Sequence, residues 1–486
     1  MTRRFKVLVL ALVLALACLR PAAASGEVLL LQEVLDHLRY HHISGPDKGK
    51  LLDGALEGMF YALEDPYTEY YTDEEMKDYT DTLDGNYVGV GVQLMAGETC
   101  PLVVEVLPDS PAALAGIRPN DCVTAVGGRD LTGLSLDSVV RLIKGPEGTE
   151  VTLTLRRDGV KDFNVTVKRA PVHRSTVDYR LLDSGAGYFM VYSFGSRTAE
   201  ELRQALLAAL EQGMTSVVLD LRYNAGGYID AAVDVASLFL DPGLVVTKVA
   251  DREGVAETML TRGGAVAKGL PVAVLTSGFT ASAAEILAGA LQDHQTAIVV
   301  GTPTYGKTTV QVVIPLKAGG VLKLTKYKYY TPEGRDIDKH GLSPDKSIQT
   351  PEAQLAAALR LLQPQRPQVV KFAAGSREVE VGEEKVFSAA APFSDGGLLY
   401  VPLRFTLESM AYVVEYRAEE NKIYIEGGEG LLVLNPGRSE FVAGNDVQKL
   451  GAPVVVKNGV TYINIGDLGP LGLEISREGD LVFLKG

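Results

Sequence analysis

SVVLDLRYNAGG, residues 216–227, decides the fold. Ser216 to Leu221 is an apolar run of strand length, and Arg222 to Gly227 closes it with a glycine turn. Helical spacing follows from Tyr228 to Leu240 and precedes it from Ala199 to Gln212. Further along come a strand over Val272–Thr276, a helix over Ala283–Gln292, a strand over Ala297–Val300 and a last helix over Pro351–Leu362. Strands alternating with helices predict an α/β core over 171–362.

Upstream the texture changes. Residues 85–170 read as short strands at Tyr87–Leu94, Leu102–Leu107, Cys122–Val126 and Val151–Leu155, around two small helices. One helix has Ser110 as its cap, Pro111 at its first position and Gly116 past its end; the other runs from Leu136 to Ile143. Residues 25–84 are helical, with Val28, Leu31, Val34, Leu35 and Leu38 at helical spacing and a break at Asp65-Pro66. At the start, Arg3, Arg4 and Lys6 precede the apolar run Val7–Leu19 and then Ala22-Ala23-Ala24. This is the layout of a signal peptide over 1–24, cut after Ala24. Cys18 is then discarded, or alternatively carries a lipid.

Downstream, Gln363 to Gln368 reads as a stiff, proline-bearing linker. Residues 369–486 contain a repeat at an offset of about 61. Ala391-Pro392, Gly397 and Tyr400-Val401-Pro402-Leu403 are echoed by Ala452-Pro453, Gly459 and Tyr462-Ile463-Asn464-Ile465. The repetition predicts two copies of a β-rich unit, so the whole is a multidomain α+β protein.

Composition narrows the function. The 486 residues are 46% apolar and carry a formal charge of −14, which becomes −18 once the four basic groups of the first twenty residues are removed. So acidic a surface is a poor partner for nucleic acid. The three cysteines and six histidines show no metal-ligand spacing, and no cofactor is implied. Cys100 and Cys122 remain as an even pair, which permits a disulfide and equally permits two free thiols.

Two constellations compete for the chemistry. GTPTYGKT (301–308) satisfies the phosphate-loop pattern. That loop needs a helix after its lysine, whereas Thr308, Thr309, Val310, Val312, Val313 and Ile314 are β-branched and predict a strand. The second uses the same lysine. Ser282 heads the helix Ala283–Gln292, and Ser282 with Glu285 is a capping box that needs no further explanation. Lys307 follows 25 residues later, however, and Gln311 shares its face on an extended chain. These parts fit a Ser-Lys mechanism in which Ser282 attacks an amide carbonyl, a desolvated neutral Lys307 accepts its proton and Gln311 orients the lysine. The oxyanion would lie between the Ala283 amide and one from the Gly226-Gly227 turn. A Ser-His-Asp site using His173, His294 or His340 lacks a G-x-S-x-G elbow.

Several phrases carry a resemblance. DPYT (65–68), VGVGV (88–92), DLRYNAGG (220–227), TASAAEI (280–286), GTPTYGKTTVQ (301–311) and GLSPD (341–345) resemble, in order, the carboxyl-terminal processing, or tail-specific, serine peptidases. The resemblance implies a crotonase-like core with Ser282 as nucleophile, Lys307 as base and Gln311 as its partner, and dimers through the N-terminal helices. Val88-Gly89-Val90-Gly91 and SPAALAGIRPNDCVTAVGG (110–128) resemble a PDZ domain, whose glycine loop would hold the C-terminus of an apolar peptide and gate the site. Lys144 stands in IKGPEGT (143–149) where an arginine is frequent in this family. APFSDGGLLYVPLRF (391–405) resembles copper amine oxidase N-terminal-like modules. No histidine follows His340, so copper is not expected; cell-envelope docking or a passive stalk is. The resulting expectation is an exported endopeptidase, with a regulatory partner in prospect. The competing one is a catalytically silent envelope scaffold that binds partner C-termini.

Overall fold

The computed structural model describes residues 26–486 apart from 98, 158, 383, 428–429, 445 and 479–480. The expected leader and Cys18 lie outside the described residues. The chain divides into two compact units, one running to Thr72 together with 311–325, the other comprising 73–310 and 326–486.

In the first unit, helices Gly26–His41 and Lys48–Tyr61 form as the spacing requires, the second capped by Asp47, which accepts the Lys50 N–H at 3.1 Å. Asp65 then accepts from the Tyr67 N–H at 3.0 Å and from Thr68 Oγ1 at 2.5 Å. This side-chain turn feeds a short strand, Glu69–Tyr71, antiparallel to residues 321–323. Along the first helix Val28, Leu29, Leu30, Leu31 and Val34 are exposed.

In the second unit, the strand expected over Tyr87–Leu94 is two. Asn86–Gly89 pairs antiparallel with Ala170–His173, and Val92–Met95 enters the sheet of the small domain. Gly91 makes the break: its φ is +84°, and a Cβ there would lie 2.2 Å from Ser110 Cβ. The ribbon brings both ends of the small domain together. Its core is Val103, Val123, Val139, Leu153 and Leu155, all fully buried. Cys100 and Cys122 are joined as a disulfide, their Cα atoms 5.8 Å apart, which closes the choice the sequence left open.

The α/β core is a six-stranded sheet ordered Val177–Leu181, Ala186–Val191, Ser216–Asp220, Val272–Thr276, Ala297–Gly301 and Lys346–Ser347, parallel from the second strand onward. Its inner strands are buried on both faces, so successive residues go to opposite layers. Val217, Leu219 and Val274 pack on helices Thr198–Glu211, Ile229–Ala236 and Ala283–Asp293. Val218, Ala273 and Leu275 pack on the helix Pro351–Leu362.

That second layer corrects the linker reading. The apolar cluster around Pro351–Leu362 runs on without a gap into Val370, Phe372, Phe405 and Leu407 of the C-terminal module. Gln363 Nε2 donates to Ser184 O at 3.2 Å and Ser216 Oγ at 3.1 Å, and Gln368 exchanges main-chain hydrogen bonds with Gly486 at 3.1 and 3.0 Å. Residues 363–368 are therefore tied down at both ends, and the module shares a core with the sheet.

The repeat is explicit. Each copy is a hairpin (Phe393–Asp395 with Leu398–Pro402; Val455–Lys457 with Val460–Asn464), a helical turn (Leu403–Glu408; Ile465–Leu471) and a second hairpin (Val413–Arg417 with Lys422–Gly427; Glu474–Glu478 with Leu481–Lys485). The copies meet strand to strand, with Tyr400 opposite Asn464 and Pro402 opposite Tyr462.

Candidate active site

The strand Val272–Thr276 ends in a turn locked by Thr280, which is fully buried. Its Oγ1 donates to Leu221 O at 2.7 Å and accepts from the Ser277 N–H at 3.0 Å. Ala281 N–H then donates to Asn224 O at 3.0 Å, which sets Ser282 against the glycine turn. Ser282 adopts φ 57° and ψ −120° at the head of the helix Ala283–Asp293. A non-glycine residue at positive φ is costly, and such strain persists only where surroundings enforce it. The bend is a strand-to-helix elbow without the G-x-S-x-G sequence that usually announces one.

The enforcing group is Glu285. Its carboxylate is fully buried, and its Oε2 accepts the Ser282 N–H at 2.8 Å, so the expected capping pair is formed. The same carboxylate also takes Thr304 Oγ1 at 2.5 Å, the Gly306 N–H at 2.7 Å and the Lys307 N–H at 3.0 Å. Tyr329 closes the site from the side, its hydroxyl 3.3 Å from Ser282 O. Burial, and then the neighbouring Glu285 charge, push the Tyr329 hydroxyl well above its ordinary pKa, so it stays a neutral donor. One carboxylate thus anchors the serine elbow and the lysine loop.

The lysine loop is fixed from its other side by the GLSPD phrase. Gly306 has φ +84°, and a Cβ on it would lie 2.7 Å from the Gly341 nitrogen. Thr304 exchanges hydrogen bonds with Leu342, N–H to O at 3.1 Å and N–H to Oγ1 at 2.6 Å. Lys307 is half-buried, and Thr309–Pro315 after it is a strand. No helix N-terminus follows the lysine, so the phosphate-loop pattern lacks the element it requires. Gln311 lies on that strand, where its Nε2 donates to Thr325 Oγ1 at 3.0 Å.

The glycine turn lies directly on the serine. A Cβ on Gly226 (φ +107°) would fall 2.8 Å from Ser282 Cβ and 3.1 Å from Ala283 N. The fully buried Asn224 holds the turn: its Nδ2 donates to Val191 O at 2.8 Å and its Oδ1 accepts the Gly226 N–H at 2.8 Å. Gly226 is therefore already committed as a donor, which narrows the expected pair. Among the described residues nothing accepts from the Gly227 or Ala283 N–H. Upstream, Asp220 binds Arg222 through both carboxylate oxygens and accepts from Tyr188 OH at 2.5 Å, and Arg222 Nη1 donates to Pro351 O at 2.9 Å.

In the glycine loop expected to hold a peptide, Val88 and Gly89 face Pro171 and Ala170 in the ribbon. The Val90 and Gly91 carbonyls accept from Ala112 and Leu107 at 2.8 and 3.0 Å, leaving the Gly91 N–H without an acceptor among the described residues. Lys144 is exposed. The guanidinium that grips the 143–150 turn is Arg169, which is almost buried and donates to Ile143 O at 2.7 Å, Thr149 Oγ1 at 2.9 Å and Glu150 O at 3.0 Å. Sequence reading missed it because Arg169 lies outside the phrase. Glu285 was visible in sequence only as a cap.

A PDZ domain ahead of an α/β core with a serine elbow is the arrangement found in PDZ-bearing serine peptidases. Residues 185–348 match peptidase family S41, 102–157 match the PDZ domain and 368–480 match the copper amine oxidase N-terminal domain. The chain's core, residues 185–348, is that of peptidase family S41. The chain is 37% identical over 330 residues to a probable CtpA-like serine protease of Staphylococcus haemolyticus, covering 68% of this chain and 66% of that one. A relative of the same description from Staphylococcus aureus strain N315 is also 37% identical, over 326 residues, covering 67% and 65%. The chain thus spans a little under two thirds of the length of each. Among solved structures, the photosystem II D1 C-terminal processing protease is 27% identical, over 70% of this chain and 98% of that one, with a TM-score of 0.42.

Proposed function

We propose that the protein is an exported endopeptidase that cleaves polypeptides at or from their apolar C-termini with a Ser-Lys dyad. Ser282 Oγ attacks the scissile carbonyl, and neutral Lys307 takes its proton and passes it to the leaving amine. Water then hydrolyses the acyl-enzyme with the same lysine as base. Gln311 orients Lys307. The oxyanion is bound by the Gly227 and Ala283 N–H groups, the second at a helix N-terminus, and no metal or cofactor takes part. The Val88–Gly91 loop captures the substrate carboxylate and gates cleavage, the N-terminal helices pair in a homodimer, and residues 369–486 engage the cell envelope or a regulatory partner.

The observation that carries this reading is the strained Ser282 elbow, set against two unpartnered N–H groups and tied through Glu285 to the Lys307 loop. The test is hydrolysis of a labelled peptide with an apolar free C-terminus. Ser282→Ala and Lys307→Ala are each expected to abolish turnover, and His340→Ala to retain it. Wild-type turnover by both alanine variants overturns the dyad. A native protein that cleaves nothing yet binds the peptide favours the scaffold.

A further inference from the structure

The C-terminal module contains a cavity of about 530 Å³ that the proposed chemistry does not use. Both repeats build it. Pro402, Leu403 and Phe405 come from the first copy's strand and helical turn, Val414 and Ile423 from its second hairpin, and Val456 and Val460 from the other copy. The wall is thus mainly apolar, with Thr350, Ser388, Tyr416, Asn421 and Thr461 as its neutral polar residues. Arg404 is the one charged side chain among the described residues that line it.

Arg404 is only partly engaged. Its Nη1 donates to Glu408 Oε1 at 3.0 Å and to Val414 O, and its other two nitrogens meet no acceptor among the described residues. Glu408 is fully buried behind the wall, where it accepts the Thr350 N–H at 2.7 Å. The guanidinium is therefore held in place with donors to spare, the arrangement that suits a second carboxylate.

The cavity is also lined by the end strand of a sheet, one of whose carbonyls, Val414 O, is already taken by Arg404. Val413–Arg417 is the end strand of its sheet, paired among the described residues with Lys422–Gly427 alone. Val414 and Tyr416, two residues apart and so on one face, both line the cavity. An end strand offers unpaired main-chain groups to an extended chain and nothing comparable to a small organic acid.

We propose that this cavity binds the free C-terminus of an apolar polypeptide segment. The terminal carboxylate meets Arg404, alternate apolar side chains fill the pocket, and the segment's backbone pairs along Val413–Arg417. The site is separate from the Val88–Gly91 loop and does not depend on the peptidase reading.

The test uses the full-length protein and a fluorescent hexapeptide that ends in Leu-Ala-Ala with a free carboxylate and carries a benzophenone. Crosslinks are expected on fragments containing residues 402–416 or 456–461, and are expected to disappear with the C-terminal amide. Val456 is 54% exposed and tolerates a charge without disturbing the fold. Val456→Asp should weaken module crosslinking roughly tenfold and Val456→Lys should not, because only the first repels a carboxylate. Arg404→Gln should act as Val456→Asp does. Crosslinks confined to the PDZ domain, equal labelling by the amide, or equal effects of the two Val456 variants would overturn the proposal. Displacement of the peptide by phenylacetate at equal concentration would assign the cavity to small acids instead.

Discussion

Ser282 and Lys307 give their main-chain N–H groups to the same atom, Oε2 of Glu285, at 2.8 and 3.0 Å. The two segments that carry the proposed nucleophile and base are thereby held within two hydrogen-bond lengths of each other at the backbone. A neutral side chain cannot reproduce this. Glu285→Gln would turn an amide NH2 toward groups that are themselves donors, leaving at least one buried N–H unpaired. The expected cost is about 3–5 kcal/mol of stability, read as a fall in Tm. The expected catalytic effect is a loss of about 100-fold in kcat with KM little changed, because the contact positions the reacting groups and does not touch substrate. Retained kcat in a folded Glu285→Gln protein would refute the role.

The glycine turn makes a sharper demand. At Gly226 a methyl group would sit 2.8 Å from Ser282 Cβ, and at Gly227 (φ +146°) it would sit 2.3 Å from Phe194 O. Gly226→Ala should therefore displace the serine, lowering its phosphonylation by a fluorophosphonate probe, with loss of fluoride, by about two orders of magnitude, in line with loss of oxyanion geometry. Asn224→Ala should act in the same direction by releasing the turn. Unchanged phosphonylation in both variants would remove the turn from the site.

Much of this was legible in the sequence. The apolar run Ser216–Leu221 reads as a strand, and burial on both its faces fits such a run. The tyrosine-centred repeat was likewise readable, and Tyr400 and Tyr462 fall at matching positions of the two copies. What escaped depends on contacts between distant segments. Glu285 reads as a cap because its nearest acceptor duty is local, while Thr304, Gly306 and Lys307 reach it only through the fold. Gln363–Gln368 has the composition of a free linker, and nothing local announces that Gln363 is bonded to Ser184 and Ser216. The positive φ of Ser282 is likewise invisible in a residue that usually caps helices with an extended backbone.

The PDZ domain carries its own reinforcement. The disulfide closes a loop of 22 residues, and in the chain-entropy account a loop of that size is worth about 3 kcal/mol. Cys100→Ala with Cys122→Ala should lower the PDZ unfolding free energy by that order and leave peptidase unfolding little changed. Identical melting of native and reduced protein would show that the pair contributes nothing.

Two acids predict how the protein responds to low pH. Burial would raise the Glu201 carboxyl, but hydrogen bonds from Thr176 and His173 outweigh it and hold it below its ordinary value. Asp121 is lowered against the same opposition by Arg157 and the Arg118 N–H. A carboxylate whose folded pKa is depressed stabilises the fold above its unfolded value, and that contribution is lost as pH falls through the folded one. The loss should therefore set in below about pH 4.3, the ordinary glutamate value. Glu201→Gln should lower Tm at pH 7 and flatten its fall between pH 5 and 3 relative to the native protein. Parallel Tm-against-pH curves for the two would contradict the assignment.

The shared core between sheet and module separates a docked domain from a tethered one. Ala353, Ala357 and Ala358 are fully buried, and the helix Pro351–Leu362 that carries them lies between Val218, Ala273 and Leu275 on one side and the module's Phe405 and Leu407 on the other. Its small side chains let the layers approach closely, so removing one layer exposes the apolar surface of the other. Ending the chain at Gln363 should therefore yield a protein that aggregates or melts well below the full-length chain. Glu408→Ala, which strands the Thr350 N–H, should shift Tm in the same direction by a smaller amount, about 1–3 kcal/mol in free energy. A soluble, monodisperse fragment with the full-length Tm would mean that the module is a separate appendage after all.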